Sequence, residues 1–401
     1  MPDTQPTRLD ALIRSPFTRL AELLDGMEPG AAPINLSLGE PHASLPPFLG
    51  PILEEHLSAF GRYPPIKGIP ALRQAITKWL GRRYPALQDA IDPERHVLPL
   101  CGSREGLFSA AFPACARRPE IAEPVVLIPN PFYQVYAAAS AAAGATPVFL
   151  SSSLESGFLP ALEDLDEALL ARTAAFYLCS PSNPEGAVAG PDYLTQAIAL
   201  AQRYDFLLFA DECYSEIYGD TPPPGALAVA QDQTGSLANV VAFQSLSKRS
   251  GLPGLRSGFV AGDPDFLSAY FRFRNVACPQ MPLPLQHVSA AAWADETHVE
   301  AARGLYRANF DSADVILNGR YAYHRPAGSF FLWLNMAGFG GGEAAAATLW
   351  KGCGVKVLPG AYLTNAPASG ANPGHDFIRV ALVHDVDTTR KALGRIVATL
   401  G

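Results

Sequence analysis

Short apolar runs alternate with segments of helical periodicity along the middle of the chain. Helical patterns, such as those over residues 136–143 and 193–204, lie between the apolar runs. This alternation predicts an α/β fold in which a mostly parallel central sheet carries helices on both faces. Six runs are predicted as strands: Val125–Ile128, Thr146–Leu150, Ala174–Leu178, Phe206–Ala210, Val240–Phe243 and Gly258–Ala261.

The flanking regions have a different pattern and indicate the domain organisation. Upstream, residues 71–82 predict an amphipathic helix, and Gly102–Gly106 predicts a tight turn that opens a helix with free N–H groups for an anion. Downstream, the proline-rich residues 278–284 resemble a linker and residues 338–347 a loop. Further strands are predicted at 328–334, 355–358 and 377–382. We predict an N-terminal arm that completes part of a small domain (1–45), a large domain (46–277) and a small α+β domain (278–401).

Composition narrows the class of protein. Among 401 residues, 48% are apolar and 17% are charged, which indicates a compact protein with a large core. The net charge of −8 argues against a nucleic-acid or anionic membrane surface. No apolar segment is long enough for a signal peptide or a membrane span. The six cysteines are scattered, with no C-x-x-C pair, so we expect no metal site and a cytoplasmic protein with reduced thiols.

Chemically capable residues follow three of the predicted strands. Lys248 comes after the run 240–243, between two serines. An isolated lysine is usually a solvated surface charge, but a buried lysine beside a cofactor is a nucleophile for an aldehyde. Asp211 ends the run 206–210, where a buried carboxylate needs a cation or several donors; a helix N-cap is the alternative. We interpret the pair as the amine and the acid that hold pyridoxal 5′-phosphate (PLP) as a Schiff base with its ring nitrogen paired to a carboxylate.

Other polar residues of the same region complete this set. Tyr214 and Asn183 are predicted to hydrogen-bond the phenolic oxygen of the cofactor, and Tyr133 to stack on its ring, although each could be ordinary packing. Arg379 lies between apolar residues of a predicted strand, so it needs a carboxylate, either that of an amino-acid substrate or that of a structural ion pair. A phosphate site is predicted from a guanidinium, hydroxyl groups and helix N-terminal amides: Arg256, Ser245, Ser247, Ser103 and Arg104.

The longer strings around these residues resemble the class I and II aminotransferases of PLP-dependent fold type I, over almost the whole chain. Residues 36–41 (LSLGEP) resemble the family's substrate-side loop, which implies that Gly39 contacts the substrate. Residues 63–73 resemble the segment whose tyrosine, here Tyr63, reaches the phosphate of the neighbouring subunit's cofactor. More narrowly, residues 129–136, 211–218 and 245–263 resemble the N-succinyldiaminopimelate aminotransferases.

This resemblance implies a homodimer with shared active sites and a ping-pong reaction in lysine and diaminopimelate biosynthesis. Glutamate would give its amino group to PLP and leave as 2-oxoglutarate, and N-succinyl-2-amino-6-oxopimelate would then accept it, with Lys248 as the proton carrier. One departure is Glu185, where the family often has threonine in N-P-T-G. Transamination of aspartate, aromatic or acetylornithine-type substrates and C–S lysis remain alternatives, whereas a PLP-binding regulator is disfavoured because no DNA-reading extension or basic face is present.

Overall fold

The computed structural model describes residues 14–42, 44–366 and 372–401. The predicted N-terminal arm (1–45) therefore lies partly outside the described residues. Within these ranges the strands are β1 Ile34–Asn35, β2 Val97–Leu100, β3 Val125–Asn130, β4 Thr146–Ser151, β5 Thr173–Cys179, β6 Leu207–Asp211, β7 Val240–Ser245, β8 Gly258–Gly262, β9 Phe331–Asn335, β10 Val355–Lys356, β11 Leu358–Pro359 and β12 Phe377–Ala381.

Helices separate most of these strands, as the sequence pattern predicts. They are α1 Pro16–Leu23, α2 Leu49–His56, α3 Pro70–Arg83, α4 Ser103–Ala116, α5 Gln134–Ala142, α6 Glu167–Ala171, α7 Pro191–Tyr204, α8 Ala226–Thr234, α9 Leu246–Arg249, α10 Pro264–Ala277, α11 Leu283–Ala294, α12 Thr297–Leu317, α13 Gly342–Cys353 and α14 Val386–Leu400. No helix of the described ranges is both long and apolar enough to cross a bilayer.

The large sheet brings three functional strand ends together. Its seven strands have the order β2-β8-β7-β6-β5-β3-β4, and β8 runs antiparallel to both of its neighbours. The prediction of a mostly parallel sheet is therefore confirmed. Asp211 at the end of β6 pairs in register with Cys179 of β5 and Phe243 of β7. The segments that carry Asn183, Asp211 and Lys248 consequently leave the sheet side by side, at its carboxyl edge.

Apolar cores cover both faces of the large sheet. Phe176 and Leu208 face one side, and Tyr177 and Phe209 face the other, as the alternation of side chains along a strand requires. A separate core lies between the three-stranded sheet β11-β12-β9 and the helices that cover it. Trp293 of α11 is fully buried in the first core, so helix α11 packs with the large sheet although it lies beyond the predicted boundary at residue 277.

Two local predictions differ from the structure. The stretch 338–347 was expected to be a loop, but helix α13 begins at Gly342. Four consecutive alanines, 344–347, follow this start, and alanine has the highest intrinsic helix propensity. The edge strand β2 was not predicted. It has only four residues and contains Pro99, which weakens a strand pattern in the sequence and is tolerated at a sheet edge.

Candidate active site

The carboxyl edge of the large sheet opens into a cavity of about 700 Å³. Residues from both the large sheet and the three-stranded sheet line it, together with helix α1 and the segment before α2. Twelve of the thirteen predicted site residues lie on its wall: Gly39, Ser103, Arg104, Tyr133, Asn183, Asp211, Tyr214, Ser245, Ser247, Lys248, Arg256 and Arg379. The thirteenth, Tyr63, does not line the cavity of this chain.

Lys248 projects into the cavity from a short helix that follows β7. Ser245 caps this helix, because its hydroxyl accepts a hydrogen bond from the N–H of Ser247 at 3.1 Å. The Lys248 ammonium donates to the carbonyl of Gly39 and lies 5.4 Å from the centre of the Phe330 ring. Burial lowers the pKa of Lys248 to about 8. A larger fraction of the amine than in an exposed lysine is therefore unprotonated, and nucleophilic, near neutral pH.

Asp211 is a buried carboxylate held by two donors. Its Oδ2 accepts from the hydroxyl of Tyr136 at 2.6 Å, and its Oδ1 accepts from the N–H of Cys213 at 3.2 Å. Burial raises the pKa of Asp211, and it forms no ion pair with a residue of the described ranges. A buried carboxylate without a cation is costly. The site is therefore suited to a positively charged ligand atom beside Asp211.

Tyr136 is a site residue that sequence analysis missed. It is the third residue of α5 and stacks on Tyr177, with ring centres 4.5 Å apart. Tyr136 follows the predicted site residue Tyr133 by three positions, and residues three apart share one face of a helix. That spacing was the available signal, but it could not indicate that the hydroxyl would reach Asp211.

Arg379 lies on β12 and lines the cavity from the side of the three-stranded sheet. One Nη donates to Asn183 Oδ1 at 2.8 Å, and the other donates to the Ser37 carbonyl at 2.7 Å. The guanidinium lies 4.2 Å from the centre of the Phe331 ring, and burial lowers the pKa of Arg379 to about 10. Its buried Nε has no hydrogen-bond partner among the described residues. The structural ion pair that was the alternative for this arginine is absent there, so the group is available to an anion.

Tyr214 lines the cavity between the large sheet and the three-stranded sheet. Its ring packs edge-on against Phe330 and Phe331, with centres 5.5 and 5.8 Å apart. Burial raises the pKa of Tyr214 well above its usual value, so the phenol keeps its proton and can donate a hydrogen bond.

A positively charged side chain lies where helix α4 begins. Arg256 has a left-handed backbone (φ +54°), and its Nη1 donates to the Pro253 carbonyl at 2.9 Å. This guanidinium covers Gly102, where a Cβ atom would lie 2.3 Å from an Nη of Arg256. Gly102 also has φ +83°, a left-handed backbone conformation that favours glycine. The free N–H groups of α4 begin at Ser103, directly after this glycine. The Arg256 guanidinium, nearby serine hydroxyls and the N–H groups at the start of α4 therefore line the same part of the cavity. This combination of groups is suited to a phosphate.

Arg104 and Tyr133 form a pair on the wall of the same cavity. The Nε of Arg104 donates to the Tyr133 hydroxyl at 2.6 Å. The guanidinium carbon lies 5.9 Å from the centre of the Tyr133 ring. Desolvation raises the pKa of Tyr133. The contact fixes the orientation of an aromatic ring that lines the cavity.

The cavity also has lining residues that the sequence did not predict as site residues. Their side chains are apolar or weakly polar, and no local pattern distinguishes them from core residues: Phe17, Leu38, Ser152, Phe158, Leu159, Cys213, Phe331 and Leu363. One further lining residue, Glu185, has a buried carboxyl group. No cluster of three or more metal-ligating side chains occurs in the part of the chain that the structure describes.

The chain is similar to known proteins over most of its length. The profile of the family described as aminotransferase class I and II matches residues 33–396. The chain is 29% identical over 391 residues to an LL-diaminopimelate aminotransferase of Desulforudis audaxviator, which covers 96% of this chain and 95% of that protein. An aminotransferase structure from Neisseria meningitidis superimposes with a TM-score of 0.91 at 38% identity, and covers 98% of this chain and 99% of that one. A probable N-succinyldiaminopimelate aminotransferase from Thermus thermophilus superimposes with a TM-score of 0.81 at 25% identity, and covers 96% and 100%.

The fold and the cavity are those of a PLP-dependent transferase of fold type I. The chain belongs to the class I and II aminotransferase family, as its sequence motifs indicated. Members of this family use pyridoxal 5′-phosphate. The described residues of the cavity are suited to this cofactor. Lys248 offers an amine of lowered pKa, Asp211 offers a buried carboxyl without an ion-pair partner, and the Arg256 guanidinium lies against Gly102.

Proposed function

We propose that this aminotransferase exchanges an amino group between glutamate and a diaminopimelate-type substrate, in lysine and diaminopimelate biosynthesis. The observation that carries the proposal is the single cavity in which the Lys248 amine, the Asp211 carboxyl and the Arg379 guanidinium meet. An LL-diaminopimelate aminotransferase among the relatives and the Thermus neighbour described as a probable N-succinyldiaminopimelate aminotransferase support the substrate class.

The proposed roles follow the chemistry of each side chain. PLP, when bound, supplies an electron sink for the carbon that loses or gains the amino group. Lys248 would be the covalent attachment point and would carry the proton to and from the reacting carbon, for which a pKa of about 8 is suitable. Asp211 would stabilise a proton on the ring nitrogen of the cofactor. Arg379 takes the α-carboxylate of the substrate, with Asn183 beside it.

The remaining residues orient the cofactor. Tyr214 and Asn183 would hydrogen-bond its phenolic oxygen, and Tyr133 would stack on its ring. The backbone of Gly39 lies on the substrate side, where its carbonyl contacts Lys248. The phosphate would be bound by the hydroxyl, guanidinium and helix N–H groups of Ser103, Arg104, Ser245, Ser247 and Arg256.

Two substrates of this class differ only at the distal nitrogen. N-succinyldiaminopimelate, the candidate from the sequence, has a neutral amide there and an added carboxylate. LL-diaminopimelate, the second candidate, has an ammonium group, and the relative of 29% identity favours it. Both need space beyond the reacting carbon, and the cavity of about 700 Å³ with Phe17, Leu38 and Leu363 on its wall offers it.

A panel of amino donors with 2-oxoglutarate tests the substrate class. We expect at least one of the two diaminopimelate substrates to exceed aspartate and phenylalanine in kcat/KM by roughly tenfold or more, about 1.4 kcal/mol. The reason is that the distal part of a long substrate adds binding energy that orients the reacting carbon. Equal or higher kcat/KM with aspartate or an aromatic amino acid would reject the diaminopimelate substrate class, while the assignment as an aminotransferase would still hold.

We also propose a homodimer that completes each active site with Tyr63 of the other subunit. The Tyr63 side chain is 100% exposed in the single chain. Leu57 and Phe60, which precede it, are also more than half exposed. Large exposed apolar side chains this close together in the chain are consistent with an interaction surface. A two-fold interface would carry Tyr63 of each subunit towards its partner.

Subunit mixing tests this shared site. Tyr63→Phe should weaken cofactor binding about tenfold or more, because a hydrogen bond to a charged phosphate is lost. Mixing Tyr63→Phe with Lys248→Ala subunits should restore wild-type cofactor affinity and turnover in about one quarter of all sites, because random pairing makes half of the dimers mixed and each has one intact site. The control mixes Tyr63→Phe subunits with subunits that carry both Tyr63→Phe and Lys248→Ala. No intact site can form in these mixed dimers, so neither cofactor affinity nor turnover should be restored. Full activity in a monomer would contradict the proposal.

A further inference from the structure

One carboxyl group on the cavity wall has no part in the site described above. Glu185 follows β5 in the loop that carries Asn183, and only 5% of its surface is exposed. Its Oε2 accepts a hydrogen bond from the Ser182 hydroxyl at 2.9 Å. No lysine, arginine or histidine of the described ranges forms an ion pair with it, although buried carboxylates normally have one.

The loop holds this carboxyl group in a fixed position. The Ser182 hydroxyl, besides donating to Glu185, accepts from the N–H of Ala187 at 3.0 Å. Gly186 has φ +73°, and a Cβ atom there would lie 2.5 Å from both the Gly328 carbonyl and the Pro326 side chain. The loop is therefore clamped against the segment 326–328 immediately after Glu185. A group held this rigidly is preorganised to bind a ligand.

We propose that Glu185 binds the distal ammonium group of the substrate and so selects a diamino dicarboxylic acid over its N-acylated form. This inference rests on the proposed function. Asn183, which contacts Arg379, is two residues away, so the two positions are separated by at most about 7 Å of chain. That is the scale of the four-bond separation between the two amino-bearing carbons of diaminopimelate. An ammonium at the distal carbon would give Glu185 the counter-ion that it lacks, whereas an N-succinyl amide would not.

The ionisation of Glu185 gives this contact a pH dependence. Burial raises the pKa of Glu185 to about 7. The neighbouring titratable group is the Cys179 thiol, whose pKa burial raises well above its usual value, so it stays neutral. Above pH 7 the carboxylate is charged and binds an ammonium; below pH 7 it is protonated and the attraction is lost. Preference for the diamino acid should therefore increase as the pH rises from 6 to 8.

The test compares two amino acids that differ only by the distal amine. Holoenzyme is assayed with LL-diaminopimelate and with L-2-aminopimelate, with 2-oxoglutarate as acceptor, in the wild type and in Glu185→Gln. We expect the wild type to prefer LL-diaminopimelate in kcat/KM about 10- to 100-fold, as for a hydrogen bond to a charged group, and Glu185→Gln to lose most of this preference. N-succinyldiaminopimelate should be unaffected or improved by the substitution.

Glu212→Gln is the matched control. Glu212 is also buried with a pKa raised to about 7, but its oxygens accept from the Ala226 N–H and the Gln244 amide, and it does not line the cavity. This variant should keep the ratio of the two kcat/KM values even where its stability falls. The pH dependence of the same ratio should disappear in Glu185→Gln alone, which a purely structural role would not produce.

The outcomes separate the two proposals. If Glu185→Gln and the wild type have the same ratio at every pH, or if the wild type does not prefer LL-diaminopimelate, the assignment of Glu185 is wrong while the aminotransferase reaction stands. If the wild type turns over neither compound, calorimetric binding of both to Lys248→Ala holoenzyme gives the same comparison. Equal binding there would also overturn the assignment, and the absence of glutamate transamination would separately reject the proposed function.

Discussion

Replacing Lys248 with alanine should lower kcat for glutamate transamination by about 10²- to 10⁴-fold through the loss of a positioned general acid–base group alone. The loss should be larger still because the covalent attachment point disappears too. PLP should still bind non-covalently through the groups around Arg256. Measurement of kcat together with the cofactor content of the purified variant checks both expectations.

A matched lysine shows whether the effect is specific. Lys391 is exposed on α14 and does not line the cavity. Lys391→Ala should therefore keep wild-type kcat. Turnover by Lys248→Ala within tenfold of the wild type would contradict the assigned role of Lys248.

The second large effect is expected for Asp211→Asn. The substitution keeps the size of the side chain, and its oxygen can still accept from Tyr136, but the charge beside the ring nitrogen is lost. Removal of one preorganised electrostatic group from an active site typically lowers kcat by about 10²- to 10³-fold. We expect a loss of this size, measured as kcat with glutamate at saturating cofactor.

Tyr136→Phe separates the charge of Asp211 from its hydrogen bond. This variant removes only the donor at 2.6 Å from Asp211 Oδ2, so the loss should be about tenfold. If Tyr136→Phe and Asp211→Asn lower kcat equally, the charge of Asp211 has no separate role. That result would contradict the proposed pairing of Asp211 with the ring nitrogen.

Sequence reasoning predicted the large sheet well because its strands are apolar runs closed by polar residues. Asp211 ends one such strand, and Lys248 lies on the short helix that follows another. Because the carboxyl ends of parallel strands meet at one edge, local pattern and topology together predicted their proximity. Arg379 was recognisable for a similar reason, since an arginine inside an apolar strand requires a partner.

Other features depend on contacts between distant segments and leave no local pattern. The bond between Tyr136 and Asp211 joins residues 75 positions apart, and the bond between Arg379 and Asn183 joins residues 196 apart. Helix α11 packs into the large core because Trp293 meets Trp79, with ring centres 4.8 Å apart. A proline-rich segment precedes this helix, and its composition resembles that of a domain linker. The apolar face of the helix nevertheless packs into the core of the large sheet and not into the small domain.

The depth of Glu185 was likewise invisible in the sequence. A glutamate in a loop is normally solvated, and its position in N-P-E-G indicated only a departure from the family pattern. The structure buries it because Gly186 lets the loop pack tightly against residues 326–328. Burial converts an unremarkable surface residue into a group that titrates near neutral pH.

The most direct test of the central claim is reductive trapping of the cofactor. Purified protein reconstituted with PLP is treated with borohydride, digested, and the modified peptide is identified by mass spectrometry. We predict a single pyridoxyl-phosphate label on Lys248, because this buried amine in the cavity has a pKa lowered to about 8 and is therefore nucleophilic. Label on a different lysine, or no label on a protein saturated with PLP, would contradict the account.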